Sequence, residues 1–334
     1  MPNKESTVEL QRPAAESPAK IPPESEAAAG APPIERSIPL LTRLRIGFVR
    51  HFLVGYARLF GLSGLYRLGR LFGTCEYLVD YRRRGRVHRK LSSLFGAEMS
   101  ATERRRHVRR YFMRVRCDKM FYTIMDRIPR GKLLNRIKLK NRRVVDDALS
   151  RRKGLYVALC HYGSHHVAGL MMALLGYKIA GVRDAKESHV RRYIYQKYRE
   201  TWPEVADIKL VFTDTFPRVL YRHLQSNGIV ASLLDVDRLR GEHLKRYPVQ
   251  FFGQEREFLT GPVQMAHRCG AAMIPGYIVS RKNFYYQLIG GEPLIDPDIA
   301  DGLTEDQVLE IVMPRYAAGV EAFVREHPDH VMNI

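Results

Sequence analysis

The sequence predicts an α/β protein with a mainly parallel sheet flanked by helices, preceded by an amphipathic helical region. After residue 150, short buried apolar runs alternate with helical patterns, which is typical of a parallel sheet covered by helices. Between residues 37 and 150, apolar residues instead recur at helical spacing among many arginines. The 334 residues are enough for one large domain or two small ones.

The first 36 residues differ from the rest in composition. They are rich in Pro, Ala, Glu and Ser and have almost no large apolar side chain. Such a segment buries too little apolar surface to offset the entropy lost on ordering. We therefore predict a disordered tail over residues 1–36, a basic, membrane-associating helical region over 37–150, and an α/β core over 151–334.

The stretch from Leu40 to about Tyr81 predicts an amphipathic helical segment. Apolar side chains recur at helical spacing, and an apolar face beside an arginine face suits a helix lying on an anionic membrane. A helix packed on the protein's own core has the same periodicity, so both interpretations stay open. No stretch has the roughly 18 uncharged apolar residues needed to span a bilayer. The arginines are Arg43, Arg45, Arg50, Arg58, Arg67 and Arg70.

Two helix starts are marked by capping boxes. Ser100 and Glu103 predict a helix from about residue 100, and Thr304 with Gln307 predicts the last helix of the chain. In the helix after Ser100, a cationic face would oppose an apolar one. The cationic residues are Arg104, Arg105, Arg106, Arg109 and Arg110, and the apolar residues are Val108, Tyr111, Phe112 and Val115.

Strands and helices alternate after residue 150. Strands are predicted at GLYVALC (154–160), KIAGV (178–182), IKLVF (208–212), GIVASLL (228–234) and AAMIPGYIV (271–279). Helices are predicted at SHHVAGLMMALLG (164–176), SHVRRYIYQKYRE (188–200), TFPRVLYRHLQSNG (215–228) and TGPVQMAHRCG (260–270). Gly228 fits the C-terminal cap of the third helix.

The net charge of +20 indicates acidic partners, either nucleic acid, anionic lipid headgroups or acidic carrier proteins. No nucleic-acid recognition module is present, so we expect no nucleic-acid partner, although a basic nucleic-acid-binding protein is the third interpretation. The four cysteines lack a CxxC spacing, which fits a reducing compartment. They are Cys75, Cys117, Cys160 and Cys269.

The segment HYGSHH (161–166) is the sharpest chemical feature. It lies between a buried strand and a helix, where α/β proteins place reactive groups. An imidazole there titrates near neutral pH and accepts a proton from an attacking hydroxyl. His161 and His165 have the spacing of a helical zinc pair, but HExxH and a clear third ligand are both missing. We expect neither a metal nor a cofactor.

Three ordered blocks resemble the lipid A biosynthesis late acyltransferases, within the wider lysophospholipid acyltransferase superfamily. HYGSHHVAGLMMALLGYKIAGVRD is similar to a block in which a His is followed five positions later by Glu or Asp, as in HFGNWELAG. NGIVASLLDVD and YPVQFFGQEREFLTGPVQMAHRCGAAMIPGYIVSR are similar to later blocks with an aspartate, Phe-Phe-Gly, Thr-Gly-Pro and a strand containing proline. The match covers roughly residues 60–310.

The resemblance implies that His161 deprotonates a hydroxyl of a membrane lipid or glycolipid. The oxygen then attacks the thioester of an acyl carrier protein or acyl-CoA, at the cytoplasmic face of the inner membrane, where the protein would be peripheral or shallowly inserted. The family aspartate corresponds to Asp237 or Asp235, and the resemblance does not choose between them. The predicted catalytic residues are His161, His166 and Asp237, and the predicted substrate-binding residues are Arg183, Asp235, Thr260 and Gly261.

Two features depart from the family pattern. The carboxylate expected five residues after the base is His166, and a second imidazole orients His161 weakly and stabilises an imidazolium badly. Either Asp235 or Asp237 serves in its place, or the protein is a non-catalytic member that binds lipid or acyl carrier protein. The chain also ends in HPDHVMNI, where the family often has a phrase rich in tryptophan and arginine.

Overall fold

The computed structural model describes residues 38–183, 187–212, 218–235 and 244–331. The predicted tail over residues 1–36 lies outside these ranges. Residues from Ile38 onward form one compact unit. The division of that unit at residue 150, between a helical region and an α/β core, stays a prediction.

Twelve α-helices lie in the described ranges. They are α1 (Leu40–Val79), α2 (Tyr81–Phe95), α3 (Ala101–Ile124), α4 (Arg130–Leu134), α5 (Arg142–Ser150), α6 (Ala168–Leu174), α7 (His189–Thr201), α8 (Pro203–Ala206), α9 (Arg218–Gln225), α10 (Gly261–Arg268), α11 (Pro297–Ala300) and α12 (Glu305–Glu326).

Nine strands lie in the same ranges. They are β1 (Ile137–Lys140), β2 (Leu155–Leu159), β3 (Ile179–Arg183), β4 (Lys209–Phe212), β5 (Ile229–Leu233), β6 (Arg246–Phe251), β7 (Gln254–Leu259), β8 (Ala272–Ser280) and β9 (Tyr286–Gly290).

Seven strands form one sheet in the order β1-β9-β8-β2-β5-β3-β4. The five strands from β8 to β4 run parallel to one another, whereas β9 is antiparallel to β8 and β1 is parallel to β9. The predicted fold class is therefore confirmed. Strands β1 and β9 were not predicted from the sequence.

Strands β6 and β7 form a separate antiparallel hairpin that was also not predicted. Its turn residues, Phe252 and Gly253, both have positive φ (51° and 68°). This is the backbone conformation of a two-residue type I′ turn, which matches the twist of the paired strands.

The helix termini largely agree with the sequence. Both capping boxes, at Ser100 with Glu103 and at Thr304 with Gln307, are present. The cap of α9 differs from the prediction, because Asn227 rather than Gly228 takes the left-handed conformation, with φ 60°. The amide of Gly228 donates to the His223 carbonyl (2.9 Å), as in a Schellman motif.

Helix α1 has two halves with different surroundings, separated by a break at Gly61 (φ 69°, ψ 176°). The second half packs on α3, so closely that a Cβ on Gly73 would lie 2.5 Å from the Met113 Cα. The first half exposes a row of large apolar side chains to solvent. They are Leu40, Leu41, Leu44, Phe48, Phe52, Leu59 and Phe60.

Arg50 is not on the exposed arginine face predicted for this segment. Its side chain is buried and donates to the Asp126 carboxylate (2.6 Å) and to the Thr123 carbonyl (2.6 Å). A buried guanidinium needs such partners because desolvation of an unpaired charge is costly. This ion pair joins the first half of α1 to the turn that directly follows α3. None of the described helices is both long and apolar enough to cross a membrane.

Both faces of the sheet are covered. On one face, Tyr156 and Ala158 of β2 join a core cluster with α9, α10 and α12. On the other face, Leu155 joins a cluster with Val145 and Ala148 of α5 and Ala173 of α6. Helix α6, which follows β2, and helix α10, which follows β5 and the hairpin, thus pack on opposite faces. Neighbouring strands with this arrangement form the crevice where open α/β sheets bind ligands.

Candidate active site

His161 and Asp235 occupy equivalent positions at one edge of the sheet. Strands β2 and β5 are parallel neighbours, with Leu159 paired to Leu233. Each of the two residues comes two positions after its strand ends. The carboxyl ends of parallel strands lie together, so this register brings His161 and Asp235 into contact although they are 74 residues apart in sequence.

Asp235 binds His161 through both the backbone and the ring. The His161 amide donates to the two carboxylate oxygens of Asp235 (3.0 and 2.8 Å). Nδ1 of the ring lies 3.1 Å from Oδ1 of Asp235 and 3.0 Å from its carbonyl oxygen. Both of these partners are acceptors, so the network assigns the proton to Nδ1. In the neutral ring the lone pair that can accept a proton is then on Nε2.

The two side chains differ in exposure. The Asp235 side chain is 8% exposed and that of His161 is 34% exposed. Burial raises the pKa of Asp235 above its usual range, while the hydrogen bonds and charge of His161 oppose that rise. The ring of His161 is therefore accessible to a substrate, and the carboxylate that contacts it is shielded from water.

Cys160 precedes His161 but is a poor candidate nucleophile. Its side chain is buried, and burial raises the pKa of the thiol well above its usual value. The thiolate is the reactive form of cysteine, so Cys160 is held in the unreactive form.

The other histidines of the segment lie in a short 3₁₀ helix, His165–Val167. The rings of His161 and His165 make an edge-to-face contact with centroids 5.5 Å apart. The side chain of His166 lies outside the described part of the structure, so its predicted catalytic role stays a prediction. Among the described residues, no three His, Cys, Asp or Glu side chains are grouped as a metal site would require.

Thr260 and Gly261 lie beside the end of β5. The amide of Leu259 donates to the carbonyl of Leu234, the residue before Asp235 (3.0 Å). Thr260 is buried, and its hydroxyl donates to the Lys245 carbonyl (3.1 Å) rather than capping α10. Gly261 is the first residue of that helix. The predicted role of both residues in substrate binding stays a prediction.

The remaining predicted residues are only partly described. Arg183 ends β3, the neighbour of β5, so its backbone lies at the same edge of the sheet as His161 and Asp235. Its side chain is not among the described atoms. Asp237 falls in residues 236–243, outside the described ranges.

A small apolar cavity of about 50 Å³ lies on the α5 and α6 face of the sheet. Val157 and Leu159 of β2 line it, two residues before His161 along the chain. Gly276, the register partner of Leu159, also lines it, and a Cβ there would lie 2.5 Å from Val157. Sequence patterns gave no sign of this cavity.

Comparison with known protein families gives one match over most of the chain. Residues 39–334 match the family described as bacterial lipid A biosynthesis acyltransferase. Among curated proteins, none matches this sequence. The family match extends from the start of α1 through the whole sheet and the last helix, so it includes every element that contributes to the site described above. The chain therefore belongs to the bacterial lipid A biosynthesis acyltransferase family.

Proposed function

We propose that the protein transfers a fatty acyl chain from an acyl thioester, carried by acyl carrier protein or coenzyme A, to a hydroxyl of a membrane lipid or glycolipid. His161 is the general base and Asp235 is its carboxylate partner. Membership of the family makes the protein an acyltransferase of lipid A biosynthesis in general terms. The donor, the base and the late step in lipid A acylation are our proposal.

The observation that carries the proposal is the contact between Asp235 and the ring of His161 (3.1 Å). A base beside a carboxylate is held in one tautomer, and its protonated form is stabilised. The position five residues after His161, where the family has a carboxylate, is occupied by His166. Asp235 supplies the missing charge from a neighbouring strand.

The reaction follows from this arrangement. Nε2 of His161 takes the proton of the acceptor hydroxyl, and the oxygen attacks the thioester carbonyl. The tetrahedral intermediate collapses, the C–S bond breaks, and the departing thiolate takes the proton from the imidazolium. An oriented base contributes about 10²–10⁴-fold, and holding the two substrates together contributes a large further share.

The apolar cavity supports an acyl substrate. Its lining is almost entirely apolar and includes Ala231, Ile274 and Ile278. A chain of CH₂ groups gains about 0.8 kcal/mol for each group removed from water. We propose that this cavity receives the acyl chain, with the thioester beside His161. Gly169 also lines the cavity, and a Cβ there would make only an ordinary contact, 3.7 Å from Ile179. Gly169→Leu would fill part of the cavity, so the product chain should shorten, and an unchanged product chain length would contradict this assignment.

Two surface features support the proposal that the protein acts at an anionic membrane surface, the cytoplasmic face of the inner membrane. The first half of α1 exposes large apolar side chains such as Leu44, Phe48 and Phe60, with Arg43 and Arg45 also exposed beside them. Basic residues near an anionic surface each contribute about 1 kcal/mol. Flotation with vesicles containing anionic lipid should retain the protein, and Phe48→Asp should release it. Equal flotation of both proteins would remove this part of the proposal.

The central experiment compares His161→Ala with Arg151→Ala in cells that lack the native gene. Arg151 forms a surface ion pair with Asp298 and has no part in the proposed chemistry, so it is the matched control. Mass spectrometry of extracted lipids should show that one acylated species disappears with His161→Ala and remains with Arg151→Ala. An unchanged lipid profile from a folded, membrane-bound His161→Ala protein would instead indicate a non-catalytic member that binds lipid or carrier protein.

A further inference from the structure

The two residues that follow Tyr162 are held by contacts from distant parts of the chain. Gly163 has a positive φ of 80°, and a Cβ there would lie 2.3 Å from the Ile278 carbonyl oxygen. Its amide donates to the His330 carbonyl (2.7 Å). Ser164 is 2% exposed, and its hydroxyl donates to Asp118 (2.6 Å). The backbone that leaves His161 is thus fixed within three residues.

Asp118 of α3 is a buried carboxylate with donors from several elements. Oδ2 accepts from Ser164, from Ser280 (2.9 Å) and from Arg114 (3.0 Å), and Oδ1 accepts from Tyr286 (2.9 Å). Burial, and the charge of Asp118, raise the pKa of the Tyr286 phenol well above its usual value, so that hydroxyl stays a donor. Each hydroxyl that donates to a carboxylate makes a charge-assisted hydrogen bond, which is stronger than a neutral one.

The C-terminal HPDH segment completes this arrangement. Nε2 of His330 accepts from the Ser280 amide (3.0 Å), so the proton of its ring is on Nδ1. Arg114, which donates to Asp118, also donates to the Asp329 carbonyl (2.9 Å). The segment in which the sequence departs from the family's usual ending is therefore bonded to the loop that carries the proposed base.

We propose that Asp118, acting through Ser164, is a positioning residue for His161, assisted by the bond from Gly163 to His330. This inference rests on the proposed function, because it assigns Asp118 a role in the reaction of His161. Asp235 fixes His161 at its amide and ring, and Asp118 fixes the chain three residues later. Because the segment is held both at His161 and at Ser164, Nε2 of His161 keeps one position relative to the acceptor hydroxyl.

If the network around Asp118 has a purely structural role, a different outcome is expected. A substitution at Ser280 distinguishes that role from the positioning of His161. Ser164 and Ser280 donate to the same oxygen of Asp118, and their hydroxyls are 3.0 Å apart. Only Ser164 lies on the loop of His161. Ser164→Ala and Ser280→Ala therefore remove comparable hydrogen bonds from one carboxylate, with different consequences for the base.

The experiment measures kcat and KM for the wild type and both variants, together with the rate at which diethyl pyrocarbonate modifies His161, read by peptide mass spectrometry. Ser164→Ala should lower kcat by about 10- to 100-fold with little change in KM, since small displacements of a catalytic group cost this much. It should also change the modification rate of His161. Ser280→Ala should leave both quantities within about twofold of the wild type.

Equal effects of the two variants on kcat and on the modification rate would overturn the proposal and leave Asp118 a structural residue. Ser164→Cys, which keeps the packing but donates weakly, repeats the test if Ser164→Ala does not fold. The modification rates do not depend on turnover. If the wild type transfers no acyl chain, the proposed function fails, and the modification rates alone then decide whether Asp118 and Ser164 position His161.

Discussion

Two buried aspartates hydrogen-bond the segment from His161 to Ser164, and they are bound in different ways. Asp118 accepts hydrogen bonds from an arginine and three hydroxyls on four different parts of the chain. Asp235 accepts from His161, at its amide and ring, and burial raises its pKa. The charge of Asp118 is thus compensated by groups from several elements, whereas the charge of Asp235 depends on one residue and interacts strongly with the protonation state of that residue.

The difference teaches that burial alone does not distinguish the two carboxylates. Asp118 and Asp235 have similar exposure, 6% and 9%. What separates them is how completely the surrounding groups compensate the charge. Perturbed pKa values occur preferentially at functional sites, and burial raises the pKa of Asp235, which contacts the half-buried imidazole of His161.

The largest expected effect comes from removing the charge of Asp235. Asp235→Asn should lower kcat/KM by about 10²–10⁴-fold, because the imidazolium formed during the reaction loses its partner. The free energy of unfolding at pH 7 should change by only about 1 kcal/mol, since the raised pKa means that the native state disfavours the charged carboxylate. Acyl-transfer kinetics and urea unfolding check the two parts. Full activity in this variant would remove Asp235 from the mechanism.

Asp118→Asn is the matched substitution at the other aspartate. Beyond the loss of kcat expected from its proposed positioning of His161, it should lower stability more than Asp235→Asn does. It leaves Arg114 buried without its carboxylate partner, which costs about 3–5 kcal/mol when a buried ion pair is broken. The urea midpoint should fall accordingly. A variant as stable as the wild type would show that the two aspartates are not distinguished by their hydrogen bonds as argued above.

The smallest expected effect is on the pH dependence of the free energy of unfolding, to which His330 and Asp235 should contribute with opposite signs. Burial, and then Arg114, lower the pKa of His330 below 6.5, so its contribution to stability is complete above pH 6.5 and is lost as the pH falls. The raised pKa of Asp235 acts oppositely, and its contribution is lost as the pH rises through the folded-state value.

Unfolding free energies between pH 8 and 3 should therefore separate these two groups, since the contribution of Asp235 changes between the ordinary carboxyl pKa of 3.8 and its raised folded-state pKa. His330→Gln should flatten the loss of stability on acidification, by up to about 1.4 kcal/mol per pH unit and per proton. Asp235→Asn should make that loss steeper, because it removes the opposing contribution. Identical slopes in the wild type and in both variants would contradict the assigned pKa directions.

The sequence predicted the fold where a pattern was local. Strand β2, helix α10 and the capping boxes at Ser100 and Thr304 were confirmed, because each depends on neighbouring residues. Strands β1 and β9 were missed because each is short and lies among polar residues. The β6–β7 hairpin was missed because its turn residues, Phe252 and Gly253, are not the usual Asn-Gly pair, although the buried Val249 and Phe251 alternate with exposed residues.

The site was predicted only as far as single segments allow. His161 follows from its place after a buried strand, but the choice of Asp235 as its contact required the pairing of β2 with β5, which depends on strand order. Asp118 was not predicted at all, because Ser164, Ser280 and Tyr286 are 46, 162 and 168 residues away from it. Contacts between residues so far apart in the chain produce no periodic pattern in the sequence.

The buried ion pair of Arg50 with Asp126 has a consequence for orientation. Rotating the first half of α1 away from α3 would separate two desolvated charges, which costs about 3–5 kcal/mol, so that half keeps a fixed angle to the sheet. A lipid surface bound by its exposed apolar residues would then set the tilt of the whole molecule. The height of His161 above the lipid headgroups would follow from the same rigid angle, and acceptor hydroxyls could be selected by their depth in the bilayer.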